Sequence, residues 1–86
     1  MQKIIESGNR LNITATNATL ERVSLMGIFV SQASSVPTIK VADASGTIAN
    51  TFTPVAGTYY KMPCETHGAL TVTISGTVDA TVFYGN

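Results

Sequence analysis

The run LTVTISGTVDATVFY, residues 70 to 84, constrains this chain more than any other stretch. Leu70, Val72, Ile74, Val78, Ala80 and Val82 occupy even positions, while Thr71, Thr73, Thr77, Asp79 and Thr81 occupy odd ones. A period of two belongs to β-strands, because successive side chains there point to opposite faces, whereas a helix repeats every ~3.6 residues. Gly76 sits between two apolar runs and marks a turn. A two-residue loop at Ser75-Gly76 or Gly76-Thr77 sets apolar residues against polar ones. The three-residue loop Ser75-Gly76-Thr77 pairs Ile74 with Val78, Val72 with Ala80 and Leu70 with Val82, and places Thr73 opposite Asp79 on the outside. The expectation is a C-terminal β-hairpin.

The rest of the chain carries the same signature. NTFTPVAGTYYKMP predicts a second hairpin, with Asn50 to Thr53 and Thr58 to Met62 flanking Pro54-Val55-Ala56-Gly57. Pro54 fixes φ there and Gly57 accepts a positive one. TIKVAD, from Thr38 to Asp43, predicts a short strand after the SSVP loop, closed by a glycine turn at Ala44 to Thr47. RLNITAT, from Arg10 to Thr16, alternates Leu11, Ile13 and Ala15 with polar residues. ATLERVSLMGIFVSQ, from Ala18 to Gln32, fits a helix with Asn17 as N-cap or a strand apolar on both faces. Gly27 and the β-branched Val23, Ile28 and Val30 favour the strand. The fold class is therefore all-β: a small β-sandwich or jelly-roll-like domain of six to eight short antiparallel strands. Residues 1–9 form an N-terminal arm or edge strand, and residues 10–86 a single β-sandwich domain.

Composition narrows the function. Charged residues make up 12% of the 86, five basic and five acidic, about half the ~25% of an ordinary soluble domain. Nucleic acid and anionic membrane surfaces both require clustered cations. None cluster here, so neither is an expected partner. The stretch LMGIFV, residues 25 to 30, is far too short to cross a bilayer. MQKIIESGNR lacks the apolar core of a signal peptide, and the expected site of synthesis is a cytoplasm. The lone Cys64 excludes an intrachain disulfide. A domain this small gains stability from partners. Low charge with 44% hydrophobic residues accordingly points to subunit contacts.

Catalytic and metal-binding equipment is sparse. CETH brings Cys64, Glu65 and His67 together, but zinc needs three or four ligands and the chain has no further Cys or His. A Cys64–His67 nucleophile needs an orienting group and a concave site. Glu65 and Asp79 are the only carboxylates that strand pairing brings into question. SGT recurs at 45–47 and 75–77 without the following helix a phosphate loop requires. Asn12-Ile13-Thr14 and Asn17-Ala18-Thr19 match the glycosylation sequon by chance in a Thr-rich chain. The expectation is no catalytic residue, no cofactor and no metal. Tyr59-Tyr60 and Phe83-Tyr84 are adjacent aromatic pairs, so one member of each faces outward in a strand. Together with Ile4 and Ile5 these four are the candidate interface residues, an exposed tyrosine being suited to an interface or a sugar-stacking platform.

TFTPVAGTYYKMP, LTVTISGTVDATVFY and SSVPTIKVAD resemble the small strand-rich virion proteins of tailed bacteriophages, over roughly residues 20 to 86. The resemblance rests on strand and turn patterns. It implies a non-enzymatic structural protein of the virion, of the capsid decoration or cement type. Such a protein stabilises the shell as an oligomer, with the major capsid protein and further copies of itself, in a trimer or other small assembly, as partners. CETH is no part of that pattern. The alternatives are a tail, baseplate or fibre component with an adhesive role, and a free carbohydrate-binding or host-interaction module.

Overall fold

The structure, a computed structural model, describes residues 8–85. It is all-β and antiparallel, with strands β1 (Gly8–Ile13), β2 (Asn17–Leu20), β3 (Ser24–Asp43), β4 (Gly46–Phe52), β5 (Thr58–Glu65) and β6 (Leu70–Gly85). The strands are not all short. β3 has 20 residues and β6 has 16, and the two pair along almost their whole length, from Ser24 opposite Gly85 to Ala42 opposite Thr71.

This pairing overturns the C-terminal hairpin. Leu70 and Val82 lie in one continuous strand and pair with other strands, Leu70 with Leu20 on β2 and Val82 with Ile28 on β3. A three-residue loop is odd in length, so it leaves even residues on one face just as an uninterrupted strand does. The alternation was therefore equally compatible with a reversal and with a strand running through. Gly76 does take a left-handed conformation (φ 75°). It makes an irregularity in the ladder, opposite left-handed Ser35 (φ 60°) and Val36 (φ 55°) on β3. SSVP is likewise an interruption within β3, and TIKVAD is its second half.

The second hairpin is also corrected. β4 and β5 flank Gly57, left-handed as expected (φ 81°). Each of them pairs with β3, β5 along residues 24–30 and β4 along residues 39–43. On the other side, β6 receives β1 along residues 80–85 and β2 along residues 70–72. The β3–β4 turn forms as expected around Ala44-Ser45, with Asp43 opposite Gly46. The ambiguous segment is a strand from Ser24 onward. A bulge between Leu25 and Gly27 shifts its phase, so Leu25, Ile28 and Val30 are all buried while Met26 and Phe29 face out.

β3 and β6 bend together near Ser34–Thr38, and the two ends of β3 meet. The Thr66 amide donates to the Val23 carbonyl (2.9 Å), the Ala44 amide donates to the His67 carbonyl (2.9 Å), and the Val23 amide donates to Thr66 Oγ1 (2.8 Å). Thr66 is fully buried, and its hydroxyl in turn donates to the Gly68 carbonyl at 3.2 Å. The three-residue segment 66–68 thus ties the halves together and closes them on one core. Leu25, Ile28, Val30, Val78, Ala80 and Val82 enter it from one half, and Ile39, Val41, Leu70 and Val72 from the other. Each fully buried branched aliphatic side chain contributes about 1.5–3 kcal/mol of hydrophobic stabilisation, so holding both halves on one core is what makes so small a chain foldable.

Candidate functional site

The outer face of the half built from β5, β3, β6 and β1 carries an apolar strip. β5 alternates strictly, with Tyr59, Lys61, Pro63 and Glu65 exposed and Tyr60, Met62 and Cys64 half-buried. Tyr59 is 46% exposed, Met26 38% and Phe29 36%. Phe29 stands opposite Tyr59 in the ladder. The Tyr59 ring reaches over β3 to Phe83 on β6, centroids 6.2 Å apart in an edge-to-face arrangement. Such pairs are favourable because the positive edge of one ring meets the negative face of the other. Gly27 makes the crossing possible, since a Cβ there would lie 2.4 Å from the Tyr59 hydroxyl oxygen and 2.6 Å from the Tyr60 carbonyl oxygen. Charged residues stand around the strip. Arg10 is opposite Phe83, Lys61 opposite Gly27, Glu65 opposite Ser24 and Asp79 opposite Gln32.

Of each aromatic pair, the outward member is Tyr59 or Phe83. Tyr60 and Tyr84 pack against the core from its margin. Tyr60 lies 4.9 Å from Phe52 between ring centroids, and its hydroxyl accepts the Val55 amide at 2.9 Å. Ile4 and Ile5 lie outside the described residues. Sequence reasoning missed Met26 and Phe29, because the bulge that turns them outward leaves no mark in the alternation. It also missed Val36 and Val55, 86% and 60% exposed at the bend of β3 and in the β4–β5 connection. Their signal was available in hindsight, as apolar residues inside Ser/Pro and Pro/Gly turn sequences.

CETH lies in an open groove of about 530 Å³ shared with the β3–β4 turn. Asp43 organises it. Oδ1 accepts the Ser45 amide (2.9 Å) and hydroxyl (2.9 Å) and the Gly46 amide (3.1 Å), and Oδ2 accepts the His67 amide (2.8 Å). The His67 amide first, and then the Ser45 hydroxyl, hold the Asp43 carboxyl well below its ordinary 3.8, at about 2. The His67 ring is 70% exposed, with Nδ1 3.7 Å from Asp43 Oδ2, an ion pair only when the ring is protonated. Ser45 spends its hydroxyl on Asp43 and the Cys64 thiol points at the Glu65 carbonyl (3.4 Å). This arrangement therefore locks a turn to the 66–68 segment and sets up no nucleophile–base pair. No cluster of three or more metal-ligating side chains occurs among the described residues. Glu65 and Asp79 are apart, at the Ser24 and Gln32 positions of β3 and on its opposite sides, bonded to Ser24 Oγ (2.7 Å) and Asn12 Nδ2 (2.8 Å) respectively. No protein family, characterised protein or solved structure matches the chain.

Proposed function

We propose that this chain is a non-enzymatic structural protein of a phage particle, a decoration or cement protein that stabilises the capsid shell as an oligomer, and that its bent, doubled sheet is a small β-sandwich. The observation that carries the reading is that large apolar side chains stand exposed in separate parts of the chain: Met26, Phe29 and Tyr59 form a strip on a sheet face, Val36 stands at the bend of β3, and Val55 stands in the β4–β5 connection. A bridging protein needs at least two contact surfaces on a scaffold that keeps its shape, and modest contacts then sum through multivalency. Location in the particle, contact with the major capsid protein and synthesis in the host cytoplasm come with the resemblance of the strand and turn patterns to phage virion proteins.

The test is the ratio of this chain to the major shell protein in purified particles. A ratio near one, or a simple fraction fixed by the lattice, is the expected result, and absence from particles overturns the proposal. A handful of copies moves the protein to a tail, baseplate or fibre. One further observation favours a second reading as a carbohydrate-binding module: Tyr59, Tyr60 and Phe52 line an open hollow of about 510 Å³ beside Lys61. Glycan binding lost on Tyr60→Ala decides for that reading.

A further inference from the structure

We propose that the strip of Met26, Phe29, Tyr59 and Phe83 is a self-association surface that receives a second copy of this chain, face to face about a two-fold axis crossing β3 at right angles over Ile28. This deepens the oligomeric part of the proposed function and rests on that reading only for its biological setting. Three features on the face select this occupant.

The strip is placed as an interface core is placed. Met26, Phe29 and Tyr59 are exposed and Phe83 is half-buried beside them, and Arg10, Lys61, Glu65 and Asp79 stand around these four. Interfaces concentrate aromatics and Met at the centre and leave charges to the rim. Here the rim is mixed in sign, as a surface that must face its own image requires.

The register chooses the axis. One row across the face holds Lys61, Gly27, Phe83 and Arg10, and the row two residues along β3 holds Tyr59, Phe29, Thr81 and Asn12. A two-fold axis at right angles to the strands exchanges these rows. Phe29 of each copy then lies over Gly27 of the other, where the Tyr59 ring crosses toward Phe83, and rings meet rings. Both cations of the first row face uncharged positions of the second. An axis along the strands instead brings Arg10 of one copy toward Lys61 of the other, and like charges held together in an interface oppose it. Facing sheets tolerate an aligned packing of this kind, rotated by about 30°.

The size of the face sets the strength. Four strands about 4.8 Å apart and about seven residues at ~3.4 Å give a projected face on the order of 400 Å². That is about half the ~800 Å² per partner of a standard stable interface. A face this small belongs with weak, transient interfaces in solution, and the pair strengthens where copies are held side by side on a shell.

Sedimentation velocity of the purified chain, from about 5 to about 500 μM, tests this. The expected result is a reversible shift from monomer to dimer with concentration. Phe29→Glu places like charges near the axis and weakens the dimer at least about tenfold. Met26→Glu does the same and stands in if Phe29→Glu fails to fold. Val55→Glu, in the β4–β5 connection and outside the strip, leaves the dimer as it is. A chain monomeric throughout, or either strip variant dimerising like the wild type, overturns the proposal. A monomeric wild type whose strip variants no longer bind particles also overturns it and assigns the face to the shell. Failure here is separable from failure of the proposed function, because particle stoichiometry is read without reference to the dimer.

Discussion

At the scale of single residues, two backbone conformations hold the bend of β3 and β6 in place. Gly76 is left-handed, and a Cβ there would stand 2.6 Å from the Ser35 carbonyl oxygen and 2.7 Å from that of Val36. Both obstacles are backbone, so Gly76→Ala meets strain and collision together. It is expected to lower stability by about 2–4 kcal/mol, read as the shift in urea midpoint at constant m. Across from it, Val36 is a β-branched residue at φ 55°, a conformation costing about 1–3 kcal/mol, and its side chain is almost wholly in water. Val36→Asn keeps the backbone and relieves the strain, so the melting temperature rises by a few degrees while particle binding falls. An unchanged binding constant in that variant removes Val36 from the contact surface. Asp43 supplies the pH dependence. Its carboxyl is depressed in the fold from 3.8 to about 2, so its contribution is fully present above about pH 4 and is lost as pH falls through about 2. Melting temperatures of the wild type and Asp43→Asn measured between pH 5 and pH 2 are expected to converge toward the acid end. Parallel curves contradict this role.

At the scale of elements, the sequence carried the faces of the strands and left their partners open. The apolar even positions from Leu70 to Val82 read as one face of a hairpin; they do share a face, on one continuous strand, and all of them but Ile74 are buried. The turn inferred at Ser75-Gly76-Thr77 was not determined by that pattern. What decided for a continuous strand was β3, a long partner whose paired residues lie 29 to 61 positions away in sequence, and non-local pairing of this kind leaves no local trace. The same reasoning covers Asn50 to Met62, where the left-handed Gly57 was legible but the pairing of both flanking strands with β3 was not. Of the candidate surface, parity required one outward member in each aromatic pair without saying which, whereas Met26 and Phe29 depended on a bulge invisible to it. The corrected pairing has a consequence. Residues 53–57 join two strands that do not pair with each other, so inserting Gly-Gly between the exposed Val55 and Ala56 is expected to destabilise by less than about 1 kcal/mol. Deleting Thr77 moves Val78, Ala80 and Val82 to the opposite face and abolishes cooperative folding. Equal damage from the two changes, seen in the thermal transitions, favours the hairpin pairings after all.

At the scale of the molecule, β3 and β6 belong to both halves, and segment 66–68 ties the ends of β3 to each other. Neither half can be withdrawn without opening the core of the other, so the halves are expected to unfold as one unit. Ile28 and Val41 test this, because both are fully buried, Ile28 beside β5 and Val41 beside β4. Ile28→Ala removes more methylene and is expected to cost about 2–5 kcal/mol, Val41→Ala somewhat less, against a total stability that for a domain of this size is on the order of 5 kcal/mol. Each variant should lower a single transition, seen identically by tyrosine fluorescence, which reports from β5 and β6, and by far-UV circular dichroism, which reports from every strand. A second transition in Val41→Ala alone would mean that the half containing β2 and β4 opens independently. The bend would then be a hinge, and a scaffold that hinges there could not hold the strip on its face and Val36 at its bend in the fixed relation that bridging neighbouring shell subunits demands.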